Sequence, residues 1–324
     1  MKIIDLHCDT VMALCQKDNV CLKNNEFQID VNKLIKGNYM AQFFAMFLPF
    51  KIKNIYETCI NMINRYKKEI EANSDYINFA YTYNDIINNT NNNKISAILS
   101  IEEGGVVEGS IDKLINLYNL GVRMICLNWN YINGIGHPNY GKFNDNGIPD
   151  FITPNIKDGL TDFGLKMINK MNELGIIIDV SHLSDKGFWD CINNSTKPIV
   201  ASHSNARGVC HHVRNLTDEM IIALNKNGGV MGMNYCAAFL SDDEEDGINT
   251  IIWVVEHIKY IKNLVGVDVI ALGSDFDGID PNIELKDASM INSLIDKLIK
   301  EGFTIEEINK ITHENMLRVI KENF

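Results

Sequence analysis

The sequence has no CxxC pair, no apolar run long enough to cross a bilayer and no excess of positive charge. Its eight cysteines are scattered, which fits thiols in a reducing compartment and disfavours a disulfide scaffold or a cysteine-based zinc site. The longest apolar candidate, Ala41–Phe50, contains Gln42 and is shorter than the roughly 18 residues that a spanning helix needs. The net charge of −12 disfavours nucleic acid or an anionic membrane as the main partner.

The composition is that of an ordinary globular protein. With 46% hydrophobic and 22% charged residues over a length of 324, the chain can build a large core. The N-terminal Ile3-Ile4-Asp5-Leu6-His7 is too short and too polar for the apolar segment of a signal peptide. We therefore expect a cytoplasmic protein that does not bind membranes.

Short β-branched apolar runs alternate with segments of helical period along the chain. The predicted strands are Lys2–Asp9, Met40–Phe47, Ile95–Glu102, Met124–Asn128, Ile176–Ser181, Ile199–Ser202, Val230–Asn234 and Val267–Ser274. The predicted helices include Ile55–Ala72, Ile111–Leu120, Thr161–Leu174, Thr217–Asn227, Asn249–Leu264 and Met290–Glu301. About eight strands, each followed by a helix, predict an α/β protein in which residues 1–324 form a single (β/α)8 TIM barrel.

Polar side chains follow the predicted strands at their C-terminal ends, where barrel enzymes place their active sites. The candidates are His7, Asp9, Glu102, His182, His203 and Asp275. Three histidines and several carboxylates gathered at one end of a barrel are typical of a metal site, and neutral imidazole is a natural zinc ligand.

Several assignments stay open on the residues alone. Either Glu102 or Glu103 could point inward, because strand parity does not decide between them. Asp275 could act as a general base, a metal ligand or a residue that stabilises a turn. His137, in a glycine-rich loop after the fourth strand, could line the mouth of the site. The adjacent His211 and His212 fit a solvated surface better than a site.

The sequence resembles the membrane dipeptidase family (renal dipeptidase-like, peptidase family M19), a branch of the amidohydrolase-type metal barrels. The motifs that carry the resemblance occur in one order through nearly the whole chain. They are Asp5-Leu6-His7-Cys8-Asp9-Thr10, Ile101-Glu102-Glu103-Gly104-Gly105, Leu120-Gly121-Val122-Arg123, Asp179-Val180-Ser181-His182, Ser202-His203-Ser204-Asn205-Ala206-Arg207, Arg214-Asn215 and Gly273-Ser274-Asp275-Phe276-Asp277-Gly278.

The resemblance implies a zinc-dependent dipeptidase with two Zn²⁺ ions per chain. His7 and Asp9 would hold one ion and His182 and His203 the other, and alignment with the family places the bridging role on Glu102. The two ions would activate a bridging water for attack on the peptide bond. Asp275 would take the position that shuttles the proton. Substrate carboxylates would bind Arg214.

The sequence departs from the family at Trp129, which stands where well-studied members carry a substrate-binding histidine. This departure puts substrate choice in doubt, and His137 is a candidate to replace the missing side chain. The alternatives are therefore another amidohydrolase activity, such as deacylation of N-acyl amino acids or β-lactam hydrolysis, and a non-catalytic metal-binding protein. The intact ligand positions argue against the last. The sequence does not decide whether C-terminal D-residues are accepted or which ion is native. It also does not decide whether the chain forms a homodimer, an assembly common in the family.

Overall fold

The computed structural model describes residues 1–17, 19–49, 52–140, 150–243, 249–281 and 283–324. In this part of the chain, the strands belong to a single sheet in which all neighbours are parallel. In chain order they are β1 Ile3–Asp5, β2 Tyr39–Phe47, β3 Ile77–Phe79, β4 Ile95–Glu102, β5 Val122–Cys126, β6 Ile177–Asp179, β7 Val200–Ala201, β8 Val230–Met233 and β9 Ile270–Leu272.

The sheet closes into a barrel because β2 pairs with both β1 and β4. The second of these pairings is long, and its last pair places Phe47 opposite Glu102. On the other side of β1, Asp5 lies opposite Leu272 of β9. All strands except β3 thus form a closed ring of eight. The predicted (β/α)8 barrel is confirmed, and each predicted strand corresponds to one strand of the ring.

The strand β3 was not predicted from the sequence. It pairs with Ile95–Ala97 at the start of β4, an edge that β5 leaves open because its own pairing with β4 begins at Leu99. Three residues are too few to show a strand period. The strand therefore depends on this vacant stretch of β4 rather than on a local pattern.

The helices surround the barrel and cover its outer face. They are Thr10–Cys15, Val31–Lys36, Ile55–Ala72, Tyr83–Asn91, Ile111–Asn119, Asp162–Leu174, Asp185–Asn194, Asp218–Lys226, Ala237–Leu240, Thr250–Val265, Ile291–Lys300, Ile305–Asn309 and Asn315–Asn323. The six predicted helices agree with six of these to within one residue at each end. Local signals explain this agreement: the Thr161 hydroxyl accepts from the Gly164 N–H at one helix start, and Gly175 ends that helix with φ of 79°.

Two apolar clusters build the core. One takes a residue from each ring strand and fills the barrel interior: Ile4, Phe43, Ile98, Met124, Ile177, Val200, Val230 and Ala271. The same cluster includes Met316, Val319 and Ile320 of the C-terminal helix, which closes this end of the barrel. A larger cluster lies between the strands and the surrounding helices. Apolar side chains thus pack the barrel interior at one end. The polar side chains that follow the strands lie at the other end.

Neither a disulfide nor a membrane-spanning segment contributes to the described fold. All eight cysteines lie in the described residues, and no disulfide joins any of them. Within those same residues, no helix has the length and apolar character required to cross a bilayer.

His257 is a buried histidine that couples stability to pH. Its Nδ1 accepts from the Ala206 N–H at 3.2 Å, and its Nε2 donates to the Leu240 carbonyl at 3.0 Å, so the neutral ring is fully paired. Burial lowers the pKa of His257 to about 4. An unfolded histidine titrates near 6.5. Below that pH the unfolded state binds a proton at this histidine and the folded state does not. The free energy of unfolding therefore falls as the pH falls.

We expect His257 to remove about 2 kcal/mol of unfolding free energy between pH 7.5 and pH 5. Urea unfolding at the two pH values, in wild type and in His257→Gln, measures this contribution as a difference of differences. The matched control is His211→Gln, at an exposed position. A pH dependence that is the same in His257→Gln as in wild type would show that His257 does not carry it.

Candidate active site

Six polar side chains from five strands converge at the carboxyl end of the barrel, and we call them the polar cluster. They are His7 and Asp9 after β1, Glu102 at the end of β4, His182 after β6, His203 after β7 and Asp275 after β9. Each is no more than 8% exposed. A cavity of about 260 Å³ reaches the cluster, and we call it the inner cavity.

Glu102 lies at the centre of the polar cluster. Its Oε1 is 2.8 Å from His182 Nε2 and 3.4 Å from His203 Nε2. Its Oε2 is 3.2 Å from His7 Nε2. The same His7 nitrogen is 3.6 Å from Asp9 Oδ2. The two oxygens of one carboxylate therefore face two separate groups of side chains.

Hydrogen bonds to the far side of two rings set their tautomers. His182 Nδ1 lies 2.9 Å from Asn130 Oδ1, an oxygen that can only accept, so Nδ1 carries the proton. His203 Nδ1 lies 2.7 Å from Ser202 Oγ, which donates to Asp179. Both Nε2 atoms therefore present lone pairs to the cluster, and they lie 2.9 Å apart. Two lone pairs this close repel each other unless a proton or a cation lies between them.

The charge state of the cluster also suits a cation. Burial lowers the pKa of His182 to about 4, with Arg214 adding to the effect, so this ring is neutral near pH 7. Burial raises the pKa of Asp9 and of Asp275, and the Glu102 carboxylate raises both further. Burial opposes a charge on His7, yet the carboxylates around it raise its pKa well above the usual range. The site thus stabilises added positive charge.

Two buried atoms of the cluster have no hydrogen-bond partner, His7 Nε2 and Asp9 Oδ1. Unpaired polar atoms in a protein interior are costly, and a bound ion is a common reason for them. Mixed imidazole and carboxylate donors are the set that zinc and similar divalent ions take. Five of the six residues, in two sets that share His7, lie close enough to hold an ion: His7, Glu102 and His203, and His7, Asp9 and Asp275.

Asp275 is held in place by its backbone and by one amide. Its φ is +62°, a left-handed conformation, and its Oδ2 accepts from Asn234 Nδ2 at 2.9 Å. The following Asp277 bonds Thr10 and the Gln28 N–H, so it secures the loop. The remaining Oδ1 of Asp275 lies 3.8 Å from His7 Nε2. One carboxylate oxygen is thus fixed and the other faces the cluster.

Arg214 lies beside the polar cluster with its guanidinium buried. Its Nη1 donates to the Ser181 carbonyl, its Nη2 lies 2.9 Å from His182 Nε2, and its Nε has no partner. Arg214 lines the inner cavity and also a second cavity of about 700 Å³, which we call the outer cavity. The guanidinium is therefore placed to meet an anion at the boundary between the two spaces.

Comparison with known families identifies the chain. The family model for membrane dipeptidase (peptidase family M19) matches residues 1–323. The chain belongs to the membrane dipeptidase family. This membership places it among the metallo-dipeptidases, hydrolases that act on peptide bonds.

Curated relatives and solved structures agree with this family. An uncharacterized dipeptidase of Schizosaccharomyces pombe is 30% identical, over 99% of this chain and 80% of the relative. The dipeptidase tcpJ of Claviceps purpurea is 27% identical, over 91% of this chain and 69% of the relative. A metallo peptidase from Rhodobacter sphaeroides, solved with a phosphinate mimic of the dipeptide L-Ala-D-Ala, shares the fold with a TM-score of 0.89 at 23% identity. That alignment covers 100% of this chain and 99% of the other.

In this M19 chain the two adjacent glutamates have different surroundings. Glu103 is fully buried and faces away from the histidines: it accepts from the N–H groups of Trp129 and Gly105 and from the Asn133 amide. Its φ of +105° turns the backbone directly after β4. The structure therefore places Glu102 in the polar cluster, whereas Glu103 forms hydrogen bonds with the loop after β5. Strand parity could not distinguish them.

Trp129 lines the inner cavity and belongs to an aromatic wall. Its ring meets Phe47 edge-on at 4.9 Å and Tyr131 at 6.2 Å. The His182 ring is 6.3 Å away. An apolar ring thus stands beside the polar cluster at the position where the sequence departs from the family.

The structure does not bring His137 into the polar cluster as the expected replacement for the missing histidine. Its Nδ1 lies 3.0 Å from the Gly159 carbonyl, and it lines neither the inner nor the outer cavity. His211 is exposed as expected, although it also lines the outer cavity. The expectation was wrong for His212, which is partly buried. That ring stacks on Phe151 at 5.1 Å and lines the outer cavity, because chain that follows β5 covers it.

Sequence reasoning missed the residues that orient the cluster. Asp179, the last residue of β6, bonds Ser181 and Ser202, and so ties together the strand ends that carry His182 and His203. Its place in the run before His182 was a usable signal. No sequence signal marked Asn130 or Asn234, because asparagine is abundant in this chain and only the fold brings these two residues to the site. Asp5, the last residue of β1, accepts from the Ser274 N–H and hydroxyl and so ties β1 to the loop that carries Asp275.

Proposed function

We propose that this M19 enzyme hydrolyses dipeptides at a site that holds two divalent cations, with Zn²⁺ as the expected ion. The placement of Glu102 carries the proposal, since its oxygens lie 2.8 Å from His182 Nε2 and 3.2 Å from His7 Nε2. A carboxylate with this placement can serve one ion with each oxygen. His7 and Asp9 would hold one ion, and His182 and His203 the other.

The bound ions would supply Lewis acidity, which activates a water and polarises the scissile carbonyl. The protein's own groups complete the chemistry. Asp275 accepts a proton at Oδ1 and delivers it to the leaving amine, and its raised pKa suits both halves of that transfer. Asn234 keeps this carboxylate aimed by holding Oδ2.

Arg214 binds the free carboxylate at the C-terminus of the substrate. Its Nε–H has no partner, and the guanidinium can present two parallel donors to a carboxylate. A buried cation at this position selects short substrates with a free C-terminus. Because the Rhodobacter sphaeroides neighbour was solved with a mimic of L-Ala-D-Ala, we extend the proposal to C-terminal D-residues.

Trp129 supports one alternative, another amidohydrolase activity at the same metal site. An indole in the inner cavity presents a large apolar surface with one N–H donor and no acceptor, unlike an imidazole. Deacylation of N-acyl amino acids or β-lactam hydrolysis would use the same cations and the same carboxylate anchor. Substrate profiling separates these reactions.

The test measures metal content and hydrolysis on one preparation of the full chain. We expect about two divalent ions per chain and cleavage of L-Ala-L-Ala and L-Ala-D-Ala that chelators abolish and Zn²⁺ restores. Amidating the C-terminus should lower kcat/KM by about 100-fold, since a buried charge-assisted pair is lost. In Arg214→Ala, free and amidated dipeptides should be cleaved at similar, low rates. Arg65→Ala serves as a control, because that arginine pairs with Glu69 on a helix and lines neither cavity.

Each part of the proposal has its own contrary result. Equal cleavage of free and amidated dipeptides by wild type would remove the role of Arg214. Two ions without dipeptide cleavage, but with deacylation or β-lactam opening, would favour the alternative. A chain that binds no metal even after reconstitution would overturn the ligand assignment. The cytoplasmic location stays a prediction of the sequence.

A further inference from the structure

The outer cavity, about 700 Å³ in volume, lies next to the inner cavity and is not used by the chemistry proposed above. The two spaces are adjacent, because Asn130, Arg214 and Phe239 line both of them. Ligand pockets of roughly 300–1,000 Å³ hold drug-sized molecules. The outer cavity is therefore far larger than the methyl group of an alanine residue requires.

Part of the wall of the outer cavity is a series of flat rings, and Ile152, Ser241 and Asp242 are among the other residues that line it. Phe151 and His212 stack with their ring centres 5.1 Å apart and an angle of 20° between the planes. The same imidazole lies 4.5 Å from the Phe239 ring, and the Arg214 guanidinium lies 5.2 Å from the centre of that ring. Stacked and tilted rings of this kind favour an aromatic guest over an aliphatic one of similar size.

The position of Arg214 determines which part of a dipeptide meets these rings. With the C-terminal carboxylate on Arg214 and the scissile carbonyl at the polar cluster, the Cα of the C-terminal residue lies at the boundary between the cavities. Its side chain then has the outer cavity beside it. The N-terminal residue lies beyond the scissile bond, near Phe47 and Trp129, which line the inner cavity and not the outer one.

We propose that the outer cavity is the subsite for the C-terminal side chain, and that this enzyme prefers dipeptides whose C-terminal residue is aromatic. The inference rests on the proposed dipeptidase function and names its substrate class. Phe151, His212 and Phe239 are the residues that determine this preference. Phe151 is the best residue to change, because it lies in the cavity wall and outside the polar cluster.

The test compares dipeptides that differ in one side chain. We expect kcat/KM for L-Ala-L-Phe and L-Ala-L-Tyr to exceed that for L-Ala-Gly by about tenfold or more, the scale at which an apolar pocket discriminates. The ratio of kcat/KM for L-Phe-L-Ala to that for Gly-L-Ala tests an aromatic ring at the N-terminal position. We expect this ratio to be smaller than the one for the C-terminal position. In Phe151→Ala, the ratio of Ala-Phe to Ala-Gly should fall about threefold or more. Ile156→Ala, at a 66% exposed position that lines neither cavity, should keep the wild-type ratio.

The outcomes separate this inference from the function on which it rests. Cleavage of all five dipeptides with no gain from a C-terminal ring would overturn the inference and leave the dipeptidase proposal in place. An equal gain from an N-terminal ring would overturn the assignment of the subsite. No cleavage of any dipeptide by the metal-loaded enzyme would instead contradict the proposed function. The wild-type comparison decides the preference even where a variant fails to fold.

Discussion

Replacing Asp275 by asparagine should lower kcat by about 100-fold or more, the usual scale for a lost proton-transfer group, while the metal content stays near that of wild type. Asparagine keeps the size of the side chain and still offers an oxygen to Asn234 Nδ2, which holds Asp275 at 2.9 Å. It removes the basic oxygen that faces His7. The loss should therefore be in turnover rather than in folding.

Metal analysis and steady-state kinetics on the same preparation check this prediction. Asp280→Asn, the same change at an exposed site on the same loop, is the matched control and should behave as wild type. Loss of an ion in Asp275→Asn would make Asp275 a ligand, a role that its position near His7 and Asp9 also permits. Unchanged kcat with metal retained would remove Asp275 from the mechanism.

Replacing Glu102 by glutamine should have the largest effect, since it removes the carboxylate that faces both groups of ligands. We expect metal affinity to fall by more than about 100-fold, beyond what the loss of an outer-shell contact causes, and activity to fall with it. A neutral amide supplies one weak oxygen donor where the carboxylate supplies two charged ones. His182 and His203 would then lack the charged oxygen that helps them to hold a cation.

Glu103→Gln is the matched control for this experiment, because it makes the same change at the adjacent residue. An amide cannot accept from Trp129, Gly105 and Asn133 as the carboxylate does. We expect a lower Tm and near-normal metal content, measured by thermal unfolding and metal analysis. If Glu103→Gln lost metal and Glu102→Gln kept it, the assignment of the two glutamates would be reversed.

Much of the fold could be predicted because its signals are local. Ile55–Ala72 was predicted with both ends correct, since a long amphipathic segment needs only its own period. Gly121, Gly175 and Gly302 all adopt positive φ just after helices, as expected of C-terminal caps. In contrast, β3 exists because β5 leaves part of β4 unpaired, and no feature of Ile77–Phe79 alone reveals that vacancy.

The candidate site also has residues that the sequence predicted and residues that it did not. His7, Asp9, Glu102, His182, His203 and Asp275 could be named because each directly follows or ends an apolar run, and parallel strands end at one face of a barrel. His137 and His212 were misplaced because the paths of their loops depend on what packs over them. His212 meets Phe151, which lies 61 positions earlier in the sequence.

The sequence alone determined the barrel, the family and the side chains gathered at the strand ends, because alternation, caps and short motifs are properties of neighbouring residues. Only the tertiary structure decided which glutamate faces the histidines, which nitrogen of each ring is free and where the outer cavity lies. These depend on partners distant in the chain: Asn130 for His182, and Asn234 for Asp275. Such contacts form when separate strand ends and loops meet, so their geometry is absent from any local stretch of sequence.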